Sequence, residues 1–421
     1  MLFKTTHTDI AQGLLILLGS LFVYTTVSTY QLVGDARPNE LIPISIIREG
    51  NLDFNEFALI GGQLPYYFKE VNGRRVSAYS PMPGFLNVPT YLVADMLGQD
   101  IKGKRFILSH WTTCILCSLS ALFLWGTLRK LDVSPATSLL STFAYCFATP
   151  VWSSASVSLW QHSSSLFLLN APIYLLLTKN KVATVLAGLL LGAAFWCRPT
   201  NLFFLLGCVI YIILLRRREI LQLSGGLILA AIPYCWYSVE YLGNVRAARH
   251  ASIYGVDGFG GDWLMGAAGL LISPSRGLFA FSPILLLALL GRSGLKQLPP
   301  DRRGLVVAIA TSSFLLFAIT AKWSFWWGGA SYGPRLLCEI VPALIIFLAL
   351  SWKIITKHRT LTALSGILLC WSVYSHFLGA RYYPCGFNSE PVMIDQAPER
   401  LWHIRGSQIE YCVRESFNAG S

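Results

Sequence analysis

Two carboxylates, Asp35 and Glu40, stand directly behind the first long apolar run, in Gly34-Asp35-Ala36-Arg37-Pro38-Asn39-Glu40. The run Ile10 to Val33 carries no formal charge and is long enough to cross a hydrocarbon core of roughly 30 Å. Lys4 precedes it, so the positive-inside rule places the N-terminus in the cytoplasm and Asp35 just outside. An acid at that boundary is costly unless it is used or paired. The use that suits it is proton abstraction from an attacking hydroxyl.

Cations gather at the same level. Arg198, Arg276, Lys322 and Arg335 fall at the outer ends of apolar runs, where each could grip phosphate oxygens, arginine doing so bidentately. Such residue types suit an anionic, lipid-linked substrate whose phosphate lies at the headgroup level. Long basic side chains near helix ends also snorkel to lipid headgroups, and that reading stays open for Arg198 and Arg276.

Arg335 has a more particular setting, Lys322-Trp323-Ser324-Phe325-Trp326-Trp327-Gly328-Gly329-Ala330-Ser331-Tyr332-Gly333-Pro334-Arg335. Tryptophans here could form an ordinary interfacial belt. The glycines go beyond a belt: they let backbone approach a ligand just before a helix starts at Pro334. Trp326, Trp327 and Tyr332 are therefore expected to bind substrate alongside Arg335. A second arginine between turn residues, Ser273-Pro274-Ser275-Arg276-Gly277, repeats the theme.

Other chemistry finds little support. His162, in Trp160-Gln161-His162, reads as a structural hydrogen-bonding group. No H-E-x-x-H, G-x-S-x-G or P-loop pattern has a supporting context. Cys114-x-x-Cys117 sits inside an apolar run without a second pair, so small buried side chains explain it. Cys385 and Cys412 lie in the polar C-terminal tail, where an extracytoplasmic location would let them form a disulfide.

The elements that must position these residues follow from composition. Hydrophobic residues make up 54% of the 421-residue chain and charged ones 13%, which excludes a soluble or disordered protein. Continuous apolar stretches argue for helices and against a β-barrel. The net charge of +12 needs no nucleic-acid partner. It concentrates in connectors at Arg129-Lys130, Lys179 to Lys181, Arg216 to Arg218, Arg292 to Arg303 and Lys353 to Arg359, which read as cytoplasmic loops.

Threading on that basis gives about eleven spans with the C-terminus outside. Residues 1–380 form one transmembrane unit and 381–421 a short outer tail. The first outer loop runs from 34 to 105. In it, Arg37 to Gly50 reads as an interfacial helix and Asn72-Gly73 as a tight turn between extended segments. The apolar stretch 83–97 is short and proline-bounded, and is taken as re-entrant or interfacial. The first run is too long for a signal peptide and has no A-x-A site behind it.

The layout resembles the GT-C superfamily of integral membrane glycosyltransferases. Asp35 matches the position of their essential aspartate after the first helix. Ile46-Ile47-Arg48-Glu49-Gly50-Asn51-Leu52-Asp53 and Tyr79-Ser80-Pro81-Met82-Pro83-Gly84 are similar to segments common in bacterial members, as are Ser273 to Phe279 and Trp327 to Arg335. Several members have a second acid in the next outer loop, but Trp152 to His162 contains none. Glu40 is the candidate to supply it.

The resemblance implies an all-α, polytopic helical bundle in the cell (inner) membrane. It also implies transfer of a sugar from a polyprenyl-phosphate donor to a lipid, glycan or protein acceptor, with inversion at the anomeric carbon. Asp35 would be the base, and Arg276 and Arg335 would stabilise the leaving phosphate. Some members use a divalent ion, Mg or Mn, which Asp35 and Glu40 could hold. A flippase or transporter, a polysaccharide polymerase or ligase, and a non-catalytic scaffold remain as rival readings. A transporter calls for midplane charges and paired halves, neither of which is evident here.

Overall fold

A computed structural model describes residues 7–58, 63–243 and 256–418. Lys4, on which the orientation of the N-terminus was read, and part of the loop between 243 and 276 lie outside the described residues. The helices in chain order are α1 His7–Val27, α2 Arg37–Arg48, α3 Met82–Met96, α4 Arg105–Lys130, α5 Pro135–Phe147, α6 Gln161–Leu176, α7 Lys181–Cys197 and α8 Leu202–Leu215. They continue as α9 Ile220–Leu242, α10 Trp263–Ile272, α11 Leu278–Phe281, α12 Arg292–Leu295, α13 Pro300–Ala321, α14 Val341–Ile355, α15 Arg359–Tyr382 and α16 Gln408–Asn418.

Among the described residues, six helical segments are long and apolar enough to cross a membrane: His7–Val27, Arg105–Lys130, Arg217–Leu242, Pro300–Ala321, Arg335–Ile355 and Arg359–Tyr382. The other expected spans are shorter. The apolar run after Gly277 divides into α11 and a 3-10 stretch, Pro283–Gly291, because Pro283 cannot continue the α-helical ladder of α11. Residues 263–272 form α10, which Asp262 caps by accepting from the Met265 N–H at 2.8 Å.

The described residues between α1 and α4 form α2, α3 and a two-stranded hairpin. Asn72 and Gly73 both take positive φ and join β1 Phe68–Val71 to β2 Arg74–Ser77 in antiparallel register, Phe68 opposite Ser77. α2 ends at Arg48, with Gly50 in the left-handed region just beyond. The 15 residues of α3 span about 22 Å, short of a hydrocarbon core, and the helix packs on α2 and α4.

The stretch between α1 and α2 decides where Asp35 sits. α1 stops at Val27, and the following residues run extended. The Thr29 N–H donates to Ala380 O at 2.8 Å and the Gln31 N–H to Val157 O at 2.7 Å, so this segment is pinned between the end of α15 and the loop before α6. Asp35 then falls in a 3-10 turn, Gly34–Ala36, that feeds α2. Tyr30 and Glu40, five residues to either side, close the bend: the Tyr30 hydroxyl donates to Glu40 Oε1 at 2.6 Å.

The C-terminal residues fold back onto the bundle. Tyr383, Cys385, Phe387, Ile394, Leu401 and Cys412 belong to the same buried apolar cluster as the helices. Cys385 and Cys412 are joined as a disulfide.

Candidate active site

Asp35 is held on one side and open on the other. Its Oδ1 accepts from the hydroxyls of Tyr66 and Tyr79, each at 3.0 Å. Burial, reinforced by the Asp35 charge, pushes both phenols upward, so they remain donors. Tyr66 can come this close only because residue 34 is glycine: a Cβ there would lie 2.0 Å from its hydroxyl. The second oxygen, Oδ2, faces Arg335 Nη1 at 3.6 Å, an ion pair too long to be a hydrogen bond. A third of the Asp35 side chain is exposed, 33%.

Arg335 reaches this position from the glycine-rich loop. Gly328, Gly329 and Gly333 all have positive φ, a conformation costly for other residues. Arg335 Nη2 donates back to Gly328 O at 2.7 Å, and the guanidinium lies 4.0 Å from the centre of the Trp160 ring. Such stacking contributes about 0.5–2 kcal/mol. The buried Nε–H makes no hydrogen bond among the described residues. Trp160 is set in turn by α2, whose Asn39 Nδ2 donates to Leu159 O at 3.0 Å.

Beneath this pair lies a buried ionic cluster. Glu339 Oε2 pairs with Arg198 Nη1 at 2.5 Å, and Oε1 lies 2.9 Å from His162 Nδ1. Nδ1 also lies 2.9 Å from Arg198 Nη1, but guanidinium is only a donor. The carboxylate is the stronger partner, so we assign the Nδ1 proton to Glu339. Arg198 is thereby held by an acid, and its charge is felt by Arg335.

The remaining expected residues are placed differently. Arg276 is about 1% exposed, and all five of its N–H donors are taken. Nε donates to Trp327 O at 3.0 Å, Nη1 to Ser275 O at 2.8 Å and Gln408 Oε1 at 2.5 Å, and Nη2 to Gly329 O at 3.2 Å and Asn388 Oδ1 at 2.7 Å. Burial among neutral acceptors lowers its pKa to about 10, still charged at neutral pH. As placed, it has nothing left for a phosphate.

Tyr332 donates to Ser375 O at 2.6 Å, and Trp327 Nε1 to Asp395 Oδ1 at 2.7 Å. Trp326 is buried and packs with Trp402. These three aromatics support the loop from within and offer no open face to a sugar. Lys322 is exposed at the end of α13.

Glu40 is fully buried. Besides Tyr30, it pairs with Arg37 Nη1 at 3.4 Å. Burial raises its pKa, and hydrogen bonding from Tyr30 and the charge of Arg37 partly offset the rise. No hydrogen bond joins it to Asp35 among the described residues. Around Asp35 the side chains are two phenols and a guanidinium, a donor set that does not suit a divalent cation. No three of His, Cys, Asp and Glu come together among the described residues.

Sequence reasoning missed Tyr66, Trp160 and Glu339 as site components and knew Tyr79 only as part of a turn. Glu339 did carry a signal, an acid inside an apolar run.

No family model and no curated protein matches the chain in sequence. Solved structures do match in shape. One is the oligosaccharyltransferase AglB of Archaeoglobus fulgidus, solved with an inhibitory peptide and a dolichol-phosphate: TM-score 0.50, 10% identity, covering 95% of this chain and 60% of AglB. Another is ArnT of Cupriavidus metallidurans, solved with undecaprenyl phosphate: TM-score 0.51, 14% identity, covering 96% of this chain and 73% of ArnT. The chain thus spans about 60% of the length of the archaeal enzyme. The chain shares the GT-C fold of these two proteins.

Proposed function

We propose that the protein is a membrane glycosyltransferase that moves a sugar from a polyprenyl-phosphate carrier to an acceptor hydroxyl on the outer face of the membrane. The observation that carries this reading is the partly open pair of Asp35 and Arg335, within a fold shared with two enzymes solved with polyprenyl phosphates. In this mechanism Asp35 Oδ2 takes the proton of the acceptor hydroxyl, since Oδ1 is already engaged by two phenols. The acceptor oxygen bonds to the anomeric carbon as the bond from that carbon to the phosphate oxygen breaks. The electron pair leaves with the phosphate, and the configuration inverts. Arg335, with an unspent donor, stabilises the charge that develops there.

Glu40 acts indirectly, by closing the bend that presents Asp35. The mechanism routes no step through a metal ion.

Membranes containing the protein, given radiolabelled polyprenyl-phosphate sugars, test the reading. Transfer should fall by roughly 10²- to 10⁴-fold in Asp35→Asn, the range a positioned base contributes. Equal transfer by both proteins would remove Asp35 from the chemistry.

A further inference from the structure

The glycine-rich loop that delivers Arg335 makes short-range hydrogen bonds of its own, among them Gly328 N–H to Phe325 O, Ser331 N–H to Gly329 O and Arg335 N–H to Gly333 O. Gly328, Gly329 and Gly333 lie in the left-handed region, and glycine loses the most conformational entropy on ordering. Ser154 donates to Tyr332 O and the Tyr332 hydroxyl to Ser375 O, and the C-terminal tail adds a further set of contacts. The Gly333 N–H donates to Gln408 Oε1 at 2.9 Å, and Gln408 Nε2 donates to Ser331 O at 2.9 Å. One amide side chain thus reads an N–H and a C=O two residues apart, as a neighbouring strand would.

Asn388 adds a second amide, its Nδ2 reaching the same Ser331 O at 3.2 Å. Arg276 then ties both amides to the loop, because its guanidinium spans Gln408, Asn388, Gly329 O and Trp327 O.

The tail is built to present this amide. Gln408 opens α16, and Cys412 lies four residues later on the same face; both are fully buried. The disulfide to Cys385 fixes that face against the chain leaving α15. Arg400 closes the intervening segment by donating to Val392 O at 2.6 Å and Phe387 O at 2.8 Å.

We infer that the disulfide-closed tail is a positioning element of the site, and that Gln408 sets Arg335 by clamping Ser331 and Gly333. The clamp stands on geometry alone. Its consequence for catalysis rests on the glycosyltransferase reading above.

Hydrogen–deuterium exchange on the full chain in lipid nanodiscs tests the clamp without any activity. In Gln408→Leu, peptides covering 328–335 should exchange about tenfold faster, as expected for losing hydrogen bonds that protect a local segment, while α4 is unchanged. Gln408→Glu keeps the acceptor for Gly333 and should retain most of the protection. The Cys385→Ser/Cys412→Ser variant should loosen the same peptides, and keeps the test open if the leucine variant fails to fold. Unchanged exchange in the loop would overturn the clamp.

In the transfer assay, Gln408→Leu should lower kcat about tenfold with the donor KM less affected, and Gln408→Glu should restore it. A loosened loop with unchanged kcat would overturn the link to Arg335. If the wild-type protein transfers no sugar, the functional reading fails while the exchange result still decides the clamp.

Discussion

Arg276 and Arg335 lie in similar local sequence, each beside glycine, serine and proline, yet the fold treats them in opposite ways. Arg276 spends every donor on a neutral acceptor of the protein itself. Arg335 makes one backbone hydrogen bond, stacks on Trp160, keeps a buried Nε–H unpaired and stands 3.6 Å from a partly exposed carboxylate. A buried cation is costly unless its hydrogen bonds are complete. Completeness therefore marks Arg276 as structural, and the shortfall marks Arg335 as available. Outer-face location and residue type could not separate the two; counting donors against acceptors does.

The difference can be broken at either end. The largest effect is expected on stability, at Arg276. Replacing it with Met leaves three carbonyls and two amides short of a donor, at a cost of about 3–5 kcal/mol. Thermal unfolding in detergent should register this as a clear loss, and a melting temperature equal to wild type would contradict the buried hub.

Arg335→Lys, by contrast, should leave the melting temperature nearly unchanged and reduce transfer by roughly 10- to 100-fold, because lysine cannot both stack on Trp160 and offer two planar donors. Full transfer activity in that variant would remove Arg335 from phosphate binding.

Glu40 should give the smallest effect, and one that depends on pH. Its folded-state pKa is raised, chiefly by burial, so the folded protein holds the proton more tightly than the unfolded chain. Its contribution to stability is present below the ordinary glutamate value of 4.5 and is lost as pH rises through the folded-state value. Glu40→Gln should therefore flatten the pH dependence of unfolding between 4.5 and the folded-state value. An unchanged slope would show that Tyr30 and Arg37 fully compensate the burial.

Some of the site was legible because it is local. The first helix, the acid behind it, the helix over Arg37–Arg48 and the Asn72-Gly73 hairpin each follow from a short stretch of sequence whose physics is self-contained. The partners of Asp35 were not legible. Tyr66 and Tyr79 stand 31 and 44 residues away, and nothing in their own segments points back to it. Trp160 carries no mark of a site residue in its own segment, and the loop before α6 brings it under Arg335. The aromatics at 326, 327 and 332 looked like a sugar platform, but packing turned them inward.

What the sequence by itself determined is the solvent each segment must live in. Apolar runs, basic connectors and an acid behind the first helix specify a helical membrane protein with charged residues gathered at one level, because lipid and water impose that pattern residue by residue. Which of those charges is free for chemistry was decided only by the tertiary structure. Whether a donor is spent or spare depends on acceptors contributed by distant segments. For Arg276 they come from the tail; for Arg335 they are too few.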